Sequence, residues 1–438
     1  MRFDASREMR ERAHAMIPGG AHTYAKGDDQ YPEDAPGFIV RGAGCHVWDV
    51  DGNEFIEYGM GLRAVTLGHG YQPVVAAAAA ALPHGSNFTR PAAIEVEAAE
   101  RLLGLVGRHD GAMVKFAKHG SDATTAAVKL ARAHTGRDLV AICTDHPFFS
   151  TDDWFIGATG MPGGVPSAVR ALTVGFRYND VPSLEAVFAD NPGQIACLVL
   201  EAETTTAPEP GFLAEVRRLC DENGALLVVD ETLTGFRWHN RGAQEVHGLT
   251  GDLAVYGKAM GNGFAISALA GRPDVMELGG LRHDRERVFL LSTTHGAETH
   301  ALAAAIAVMT EYEREPVIET LYRQGARLAA GVTEAAARHG VSDHFGVLGR
   351  DCNLIYYTKD ASGERSQPFR TLFLQELIAG GVIAPSFSIS FSHTDADVDR
   401  TVEVVDAALG VYAKALDAGS VDGLLRGRPV APVFRRFN

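Results

Sequence analysis

The chain has no run of about eighteen consecutive apolar residues, the length a membrane-crossing helix needs. Its alanine-rich stretch at 74–82 is too short and follows Pro73 as an ordinary helix would. Nor is there a lysine- or arginine-rich block: 55 acidic side chains outnumber 40 basic ones, a net charge of −15. Nucleic acids and anionic membranes are held by basic faces, so neither is an expected partner. Cysteine is scarce, with only Cys45, Cys143, Cys197, Cys220 and Cys352, widely separated and odd in number. No two have the spacing of a metal or redox motif, so reduced, partly buried thiols are expected. The opening residues, MRFDASREMRERAHAM, are charged where a signal peptide has its apolar core. Internal repeats and low-complexity linkers are also missing. These absences lead to the expectation of a cytoplasmic, enzyme-sized protein.

What remains is an ordinary globular composition, 46% hydrophobic and 22% charged over 438 residues. Single cores stop growing near roughly 250–300 residues, so a large core plus a smaller domain is expected. Residues 5–16 read as a short polar helix before Pro18-Gly19-Gly20, followed by strand-like pieces at 37–40 and 46–48. The turn Asp49-Val50-Asp51-Gly52-Asn53 then leads into a returning strand at 55–58. From about residue 68 helices alternate with short apolar strands. The spacing predicts helices over 72–82, 94–106, 122–135, 184–189 and 212–223. It predicts strands over 113–117, 139–143, 195–200, 225–229, 253–256 and 266–270. Runs such as CLVL and ALLVV are continuously apolar, the signature of a parallel sheet covered on both faces. Helical patterns at 300–313 and 316–339 precede a strand at 353–357 and helices at 368–379 and 396–415. The fold class is α/β. A large mixed, mostly parallel sheet domain is expected over 68–320, with 1–67 and 321–438 combining into a smaller α+β domain.

In open α/β sheets ligands gather at the carboxyl ends of the strands. Three segments place chemistry there. In LLVVDETLTGFR, residues 226–237, a buried strand runs into Asp230-Glu231. An aspartate after a strand is commonly only a cap. Its functional reading is a carboxylate that keeps a pyridinium nitrogen protonated. In LAVYGKAMGNGF, residues 253–264, Lys258 follows a strand and is flanked by Gly257, Gly261 and Gly263. A random lysine lies on the surface, but small neighbours and partial burial suit a Schiff-base amine. In VKFAKHGSDATTAAVKLAR, residues 114–132, a strand passes through His119-Gly120-Ser121-Asp122 into a helix. That turn is either a plain helix start or a phosphate cradle of backbone N–H groups and the Ser121 hydroxyl. Together the three favour one phosphate-bearing aldehyde cofactor more than any one does.

These segments resemble the class III aminotransferases, and within them the glutamate-1-semialdehyde aminomutases most closely. The likeness covers nearly the whole chain, from IPGG (17–20) through VWDVDG (47–52), LGHG (67–70), DETLTGFR and GKAMGNG to SHTDADVD (392–399). The resemblance implies the type I fold of pyridoxal 5'-phosphate enzymes and that cofactor. It casts Lys258 as the Schiff-base lysine and Asp230 as the partner of the pyridine nitrogen. Gly120 and Ser121 fall on the phosphate turn, Glu201 on a carboxylate near the cofactor, and Thr232 on the position after Asp-Glu, usually valine. Thr293 matches a threonine lent to the phosphate across a dimer interface, so a homodimer with shared sites is implied. The ring-stacking aromatic of the family's Tyr-His-Gly segment is matched by Phe148 if a one-residue shift from Pro147 is allowed.

Other departures fall on the substrate side. Lys26 stands where the aminomutases have a carboxylate-binding arginine, Pro385 near an aligned glutamate, and Gly61-Leu62-Arg63 where the family has Ser-Trp-Gly. Arg63 and Lys26 are candidate substrate anchors. Arg237 is a third, or else an internal salt-bridge partner. The expected activity is transfer of an amino group from an amine donor, such as an amino acid, to an oxo-sugar, aldehyde or keto acid. An intramolecular aminomutase or a racemase is the alternative, and a non-catalytic cofactor-binding protein a more distant one. No G-x-G-x-x-G opens a helix after a first strand, which argues against a dinucleotide oxidoreductase.

Overall fold

The computed structural model describes residues 1–108, 111–146 and 148–437. The chain divides into two compact units. The smaller joins Met1–Tyr71 to Glu319–Val433, and the larger is Gln72–Ile318 with the short stretch from Phe434 on. In the small unit, strands β1 (Ile39–Ala43), β2 (His46–Asp49) and β3 (Glu54–Glu57) form an antiparallel meander. The turn between β2 and β3 is set by Asp49, buried at the strand end. Its carboxylate accepts the backbone N–H groups of Asp51 and Asn53 at 3.0 and 2.7 Å, the local bonding that makes aspartate a turn residue.

The large unit is built on seven strands. They are β4 (Met113–Ala117), β5 (Leu139–Cys143), β6 (Thr173–Phe176), β7 (Ile195–Leu200), β8 (Leu226–Asp230), β9 (Leu253–Tyr256) and β10 (Ser267–Gly271). Their order is β4-β10-β9-β8-β7-β5-β6. The run from β9 to β6 is parallel, and β10 lies antiparallel to both β9 and β4. All residues of β7, β8, β9 and β10 are buried, which accounts for their unbroken apolar sequence. The helix Gly120–Thr135 packs its Ala123, Ala127, Leu130 and Ala131 into this core. Several boundaries differ from the sequence expectation by one or two residues, and two differences bear on this sheet. The fourth apolar run extends one residue further, so Asp230 is the final residue of β8. Edge strand β6 has only four residues with a glycine among them, too weak a pattern to read.

The rest of the small unit adds a two-stranded pair, β11 (Phe345–Leu348) with β12 (Ile355–Thr358), and β13 (Val382–Ile383), parallel to β3. Phe3, Val47, Phe55, Leu374, Ile378 and Ile383 make up one of its cores. The final helix, Asp395–Ala418, opens with Thr394 and Asp397 bonding reciprocally, a capping box. None of the five cysteines is in a disulfide, and all five are buried. Cys45 lies with His46 and Asp397, a grouping not visible in the sequence spacing. His46 there bridges Glu54 and Asp397, each at 2.9 Å. Among the described residues no helix is long and apolar enough to cross a membrane.

Candidate active site

Strands β9, β8, β7 and β5 are consecutive neighbours in the large unit, and each has an ionisable residue at its end or within three residues after it. Lys258 stands two residues after β9, Asp230 closes β8, Glu201 follows β7, and His146 comes three residues after β5. Parallel strands present their carboxyl ends on one edge, so the four positions share that edge.

Asp230 is buried, and its Oδ1 accepts the Thr232 backbone N–H at 2.8 Å. Burial pushes its carboxyl above the usual range, against the opposing pull of Thr232 and of the Lys258 charge. Such a group is costly to ionise alone and gains from a cationic partner. Its neighbour Glu231 has a different task. It is fully buried and accepts the backbone N–H groups of Ala243 and Gln244, each at 2.8 Å, and the Thr234 hydroxyl. Burial raises Glu231 to about 7. One carboxylate therefore faces the site, and the other fastens the loop behind it.

Lys258 is half-buried and sits at φ +42°, a left-handed conformation rare for a residue with a side chain. Strain of this kind collects at functional sites, where surrounding structure enforces it. Thr232 links the three motifs. A Cβ at Gly120 would come within 3.0 Å of the Thr232 methyl, and one at Gly257 within 3.2 Å. Glycine at both positions thus lets the helix start and the Lys258 turn close on the Asp230 strand end. Ser267 on β10 donates to the His119 carbonyl at 2.7 Å and holds the same turn.

Ser121 is buried in the first turn of its helix, and its Oγ accepts the Thr151 N–H at 3.1 Å. Thr124 donates to the Phe149 carbonyl at 2.7 Å, so the 149–151 segment is tied to this helix start. The two phenylalanines separate: Phe149 belongs to the core, whereas Phe148 is 41% exposed, edge-on to Phe155. Pro147 lies outside the described residues. Glu201 is buried, and its N–H donates to His146 Nδ1 at 3.1 Å. That bond leaves the ring proton on Nε2, a buried atom with no partner among the described residues. Burial lowers His146 to about 4, so the ring is neutral. Sequence reading assigns His146 no role, since nothing in a histidine after a strand distinguishes it. It also misses buried Glu203, which pairs with His247 at 2.5 Å. The two lie 44 residues apart, a separation that leaves no local signal.

The remaining candidates lie elsewhere. Thr293 is exposed on a loop of the large unit and lines a surface cavity of about 600 Å³ with Ser86, Arg90 and Phe116. No hydrogen bond among the described residues joins it to Ser121. Arg237 is fully buried in the large unit, which favours the internal reading over a substrate contact. In the small unit Lys26, Arg63 and Pro385, three positions of departure far apart in sequence, line one cavity of about 650 Å³.

A model of the class III aminotransferase family matches residues 28–350. The glutamate-1-semialdehyde 2,1-aminomutase of Roseiflexus castenholzii is 33% identical over 445 residues, covering 96% of this chain and all of that one. Among solved structures, the FumI protein of Sphingopyxis sp. MTA144 in its PLP internal aldimine form superposes with a TM-score of 0.86. It is 29% identical, with 96% of this chain and 99% of that one covered. An omega-transaminase from Sphaerobacter thermophilus gives a TM-score of 0.84 at 25% identity, covering 94% and 98% of the two chains.

Proposed function

Because this chain belongs to the class III aminotransferase family, we propose that it is a pyridoxal 5'-phosphate-dependent aminotransferase, moving an amino group from an amine donor to a carbonyl acceptor. The observation that carries this reading is the pairing of a strained, half-buried Lys258 with a buried Asp230 at adjoining strand ends. The donor set suits the cofactor. A lysine amine meets an aldehyde, a buried carboxylate a ring nitrogen, and the N-terminus of the helix Gly120–Thr135 a phosphate. The buried His146 Nε2, without a partner among the described residues, fits a polar group beside it.

When bound, the cofactor supplies a carbonyl that captures the amine nitrogen and a ring that withdraws electrons from the adjacent carbon. The protein's own groups do the rest. Lys258 Nζ would hold the cofactor covalently and, as a free amine, would carry the proton to and from the substrate carbon. Asp230 keeps a proton on the ring nitrogen, and the energy lost by burying its charge is recovered against that cation. Gly120 and Ser121 hold the phosphate, Phe148 and Thr232 flank the ring, and Glu201 positions His146 through its backbone. Lys26 and Arg63 contact substrate, whereas Arg237 is structural. Homodimerisation in the cytoplasm completes the proposal, with exposed Thr293 serving the phosphate of a second copy.

The aminomutase alternative is weakened by Lys26 and Pro385, which depart from that pattern and line the same cavity. An ammonium lacks the planar fork that an arginine offers a carboxylate, and proline has no side-chain acceptor. Nitrogen-15 glutamate should therefore label the cofactor in one half-reaction, with little conversion of glutamate-1-semialdehyde to 5-aminolevulinate. Efficient isomerisation without an external donor overturns the aminotransferase reading in favour of the mutase. Borohydride reduction and peptide mapping should place the cofactor on the Lys258 peptide.

A further inference from the structure

Cys45 closes the turn between β1 and β2, and His46 is the first residue of β2. Both belong to the small unit together with Asp397, in the first turn of the helix Asp395–Ala418. His46 and Asp397 are 351 residues apart in the chain. In the fold, Cys45 Sγ, a ring nitrogen of His46 and a carboxylate oxygen of Asp397 all lie within 4.8 Å of one another. Cys45 is 1% exposed, whereas His46 and Asp397 are half-buried, so the group has an inner end and a side open to water. Each oxygen of Asp397 has its own task. Oδ2 accepts the Thr394 N–H and hydroxyl at 2.9 and 2.6 Å, which caps the helix. Oδ1 is thereby aimed at His46 Nε2, 2.9 Å away.

The other ring nitrogen, Nδ1, is buried, lies 2.9 Å from Glu54 Oε1 and makes no aligned hydrogen bond among the described residues. A neutral imidazole carries one N–H and one lone pair. Either tautomer therefore sets a lone pair against a carboxylate, that of Asp397 or that of Glu54. A cation shared by Nε2, Asp397 Oδ1 and Cys45 Sγ removes the conflict and leaves the ring proton on Nδ1, facing Glu54. A carboxylate behind a metal-bound histidine is the usual support of such a ligand. Burial and the bond to Asp397 push the Cys45 thiol up, so a metal must displace its proton to solvent, as bound cations do. A thiolate, an imidazole and a carboxylate together suit zinc. Around zinc such atoms lie about 3.3–3.6 Å apart, so Nε2 and Oδ1 need part by only a few tenths of an ångström. We propose that Cys45, His46 and Asp397 bind a zinc ion, with water as fourth ligand, which clasps the β1–β2 turn to the carboxyl-terminal helix. This site is independent of the aminotransferase reading.

Zinc titrated calorimetrically into the full-length holoenzyme, after dialysis against a chelator, tests the site. One ion per chain should bind with a Kd of about 10 μM or tighter. X-ray absorption of that complex should show one sulfur at about 2.3 Å beside nitrogen and oxygen at about 2.0 Å. Glu54→Gln, at a partly exposed position behind the imidazole, should keep the sulfur and weaken binding about tenfold. Cys45→Ser should lose the sulfur and weaken binding further. Zinc should raise the melting temperature of the wild type and leave that of Cys45→Ser where it was. Weaker binding by the wild type would overturn the proposal and make His46 a protonated bridge between its two carboxylates. A shell of nitrogen and oxygen alone, which places zinc on a phosphate or on surface carboxylates, would overturn it too. So would a sulfur that persists in Cys45→Ser. If Cys45→Ser fails to fold, the wild-type shell and the Glu54→Gln affinity decide: sulfur with a tenfold loss supports the site, and an unchanged affinity counts against it.

Discussion

The two units display their functional side chains in opposite ways. In the large unit Lys258, Asp230, Glu201 and His146 follow neighbouring parallel strands whose residues are almost all buried. In the small unit the cavity wall is drawn from residues 10 to 69 and 370 to 386, much of it loop and short turns. Covalent and proton-transfer steps tolerate displacements of only about 0.5 Å, which a sheet edge can guarantee. Substrate choice changes by altering loops on an unchanged scaffold. On the proposed function, the contrast teaches how a chain can keep its family's chemistry while replacing the residues that choose what enters it.

The comparison breaks if variants of the two units cost the same. Lys258→Ala should have the largest effect, on the order of ten-thousandfold or more in turnover, with loss of the borohydride-fixed label. Steady-state kinetics of that variant close to wild type would remove the sheet edge from the chemistry. Asp230→Asn should lower kcat by about a thousandfold. Its melting temperature without cofactor should match or exceed wild type, because the raised pKa marks a carboxylate that burial disfavours. A melting temperature several degrees lower would mean that Asp230 is structural after all.

Glu231 sharpens the contrast within one dipeptide. Burial raises it from its ordinary 4.5 to about 7, so it supports folding fully below about 4.5 and that support is lost as pH rises through 7. The difference is on the order of 3 kcal/mol. His146 works the other way: lowered from 6.5 to about 4, it supports folding above 6.5 and loses that support as pH falls through 4. Denaturant melts between pH 4 and 8 should show that Glu231→Gln removes the alkaline-side loss and His146→Phe the acid-side loss. Identical pH profiles for wild type and both variants would rule out these protonation states. The smallest effect is expected in the small unit. Exposed Lys26, replaced by alanine, should raise KM only severalfold without changing kcat, as a solvated charge does. A thousandfold fall in kcat from Lys26→Ala would erase the distinction between the units.

Six of the seven strands of the large unit's sheet were legible because they are short, mostly apolar runs between helical patterns or turns. What could not be read was the reversal of β10, since direction leaves no mark in a five-residue apolar strand. Asp230 and Lys258 stood out because an ionisable residue at the end of a buried run is conspicuous. The role of Thr232 as the contact between Gly120 and Gly257 was hidden, because it depends on three backbones converging from distant positions. Family likeness brought Lys26, Arg63 and Pro385 to notice one by one. Their meeting in a single cavity and the left-handed turn at 60–63 became visible only in the folded chain. Loop conformations are fixed by such long-range contacts and carry no periodicity from which to infer them.

The pairing of β3 with β13 has a consequence for synthesis on the ribosome. Ile56 and Val382 are register partners although more than 300 residues separate them. At about 5–20 residues per second, the amino-terminal meander waits on the order of tens of seconds for the strand that completes it. During that wait the contiguous large unit has all its own strands from β4 to β10 and can consolidate. Phe55 and Ile56, meanwhile, have yet to meet the carboxyl-terminal residues that bury them. The nascent chain is then a finished module trailing an unfinished one, and its vulnerability to premature termination or to chaperone depletion is concentrated in the first 71 residues.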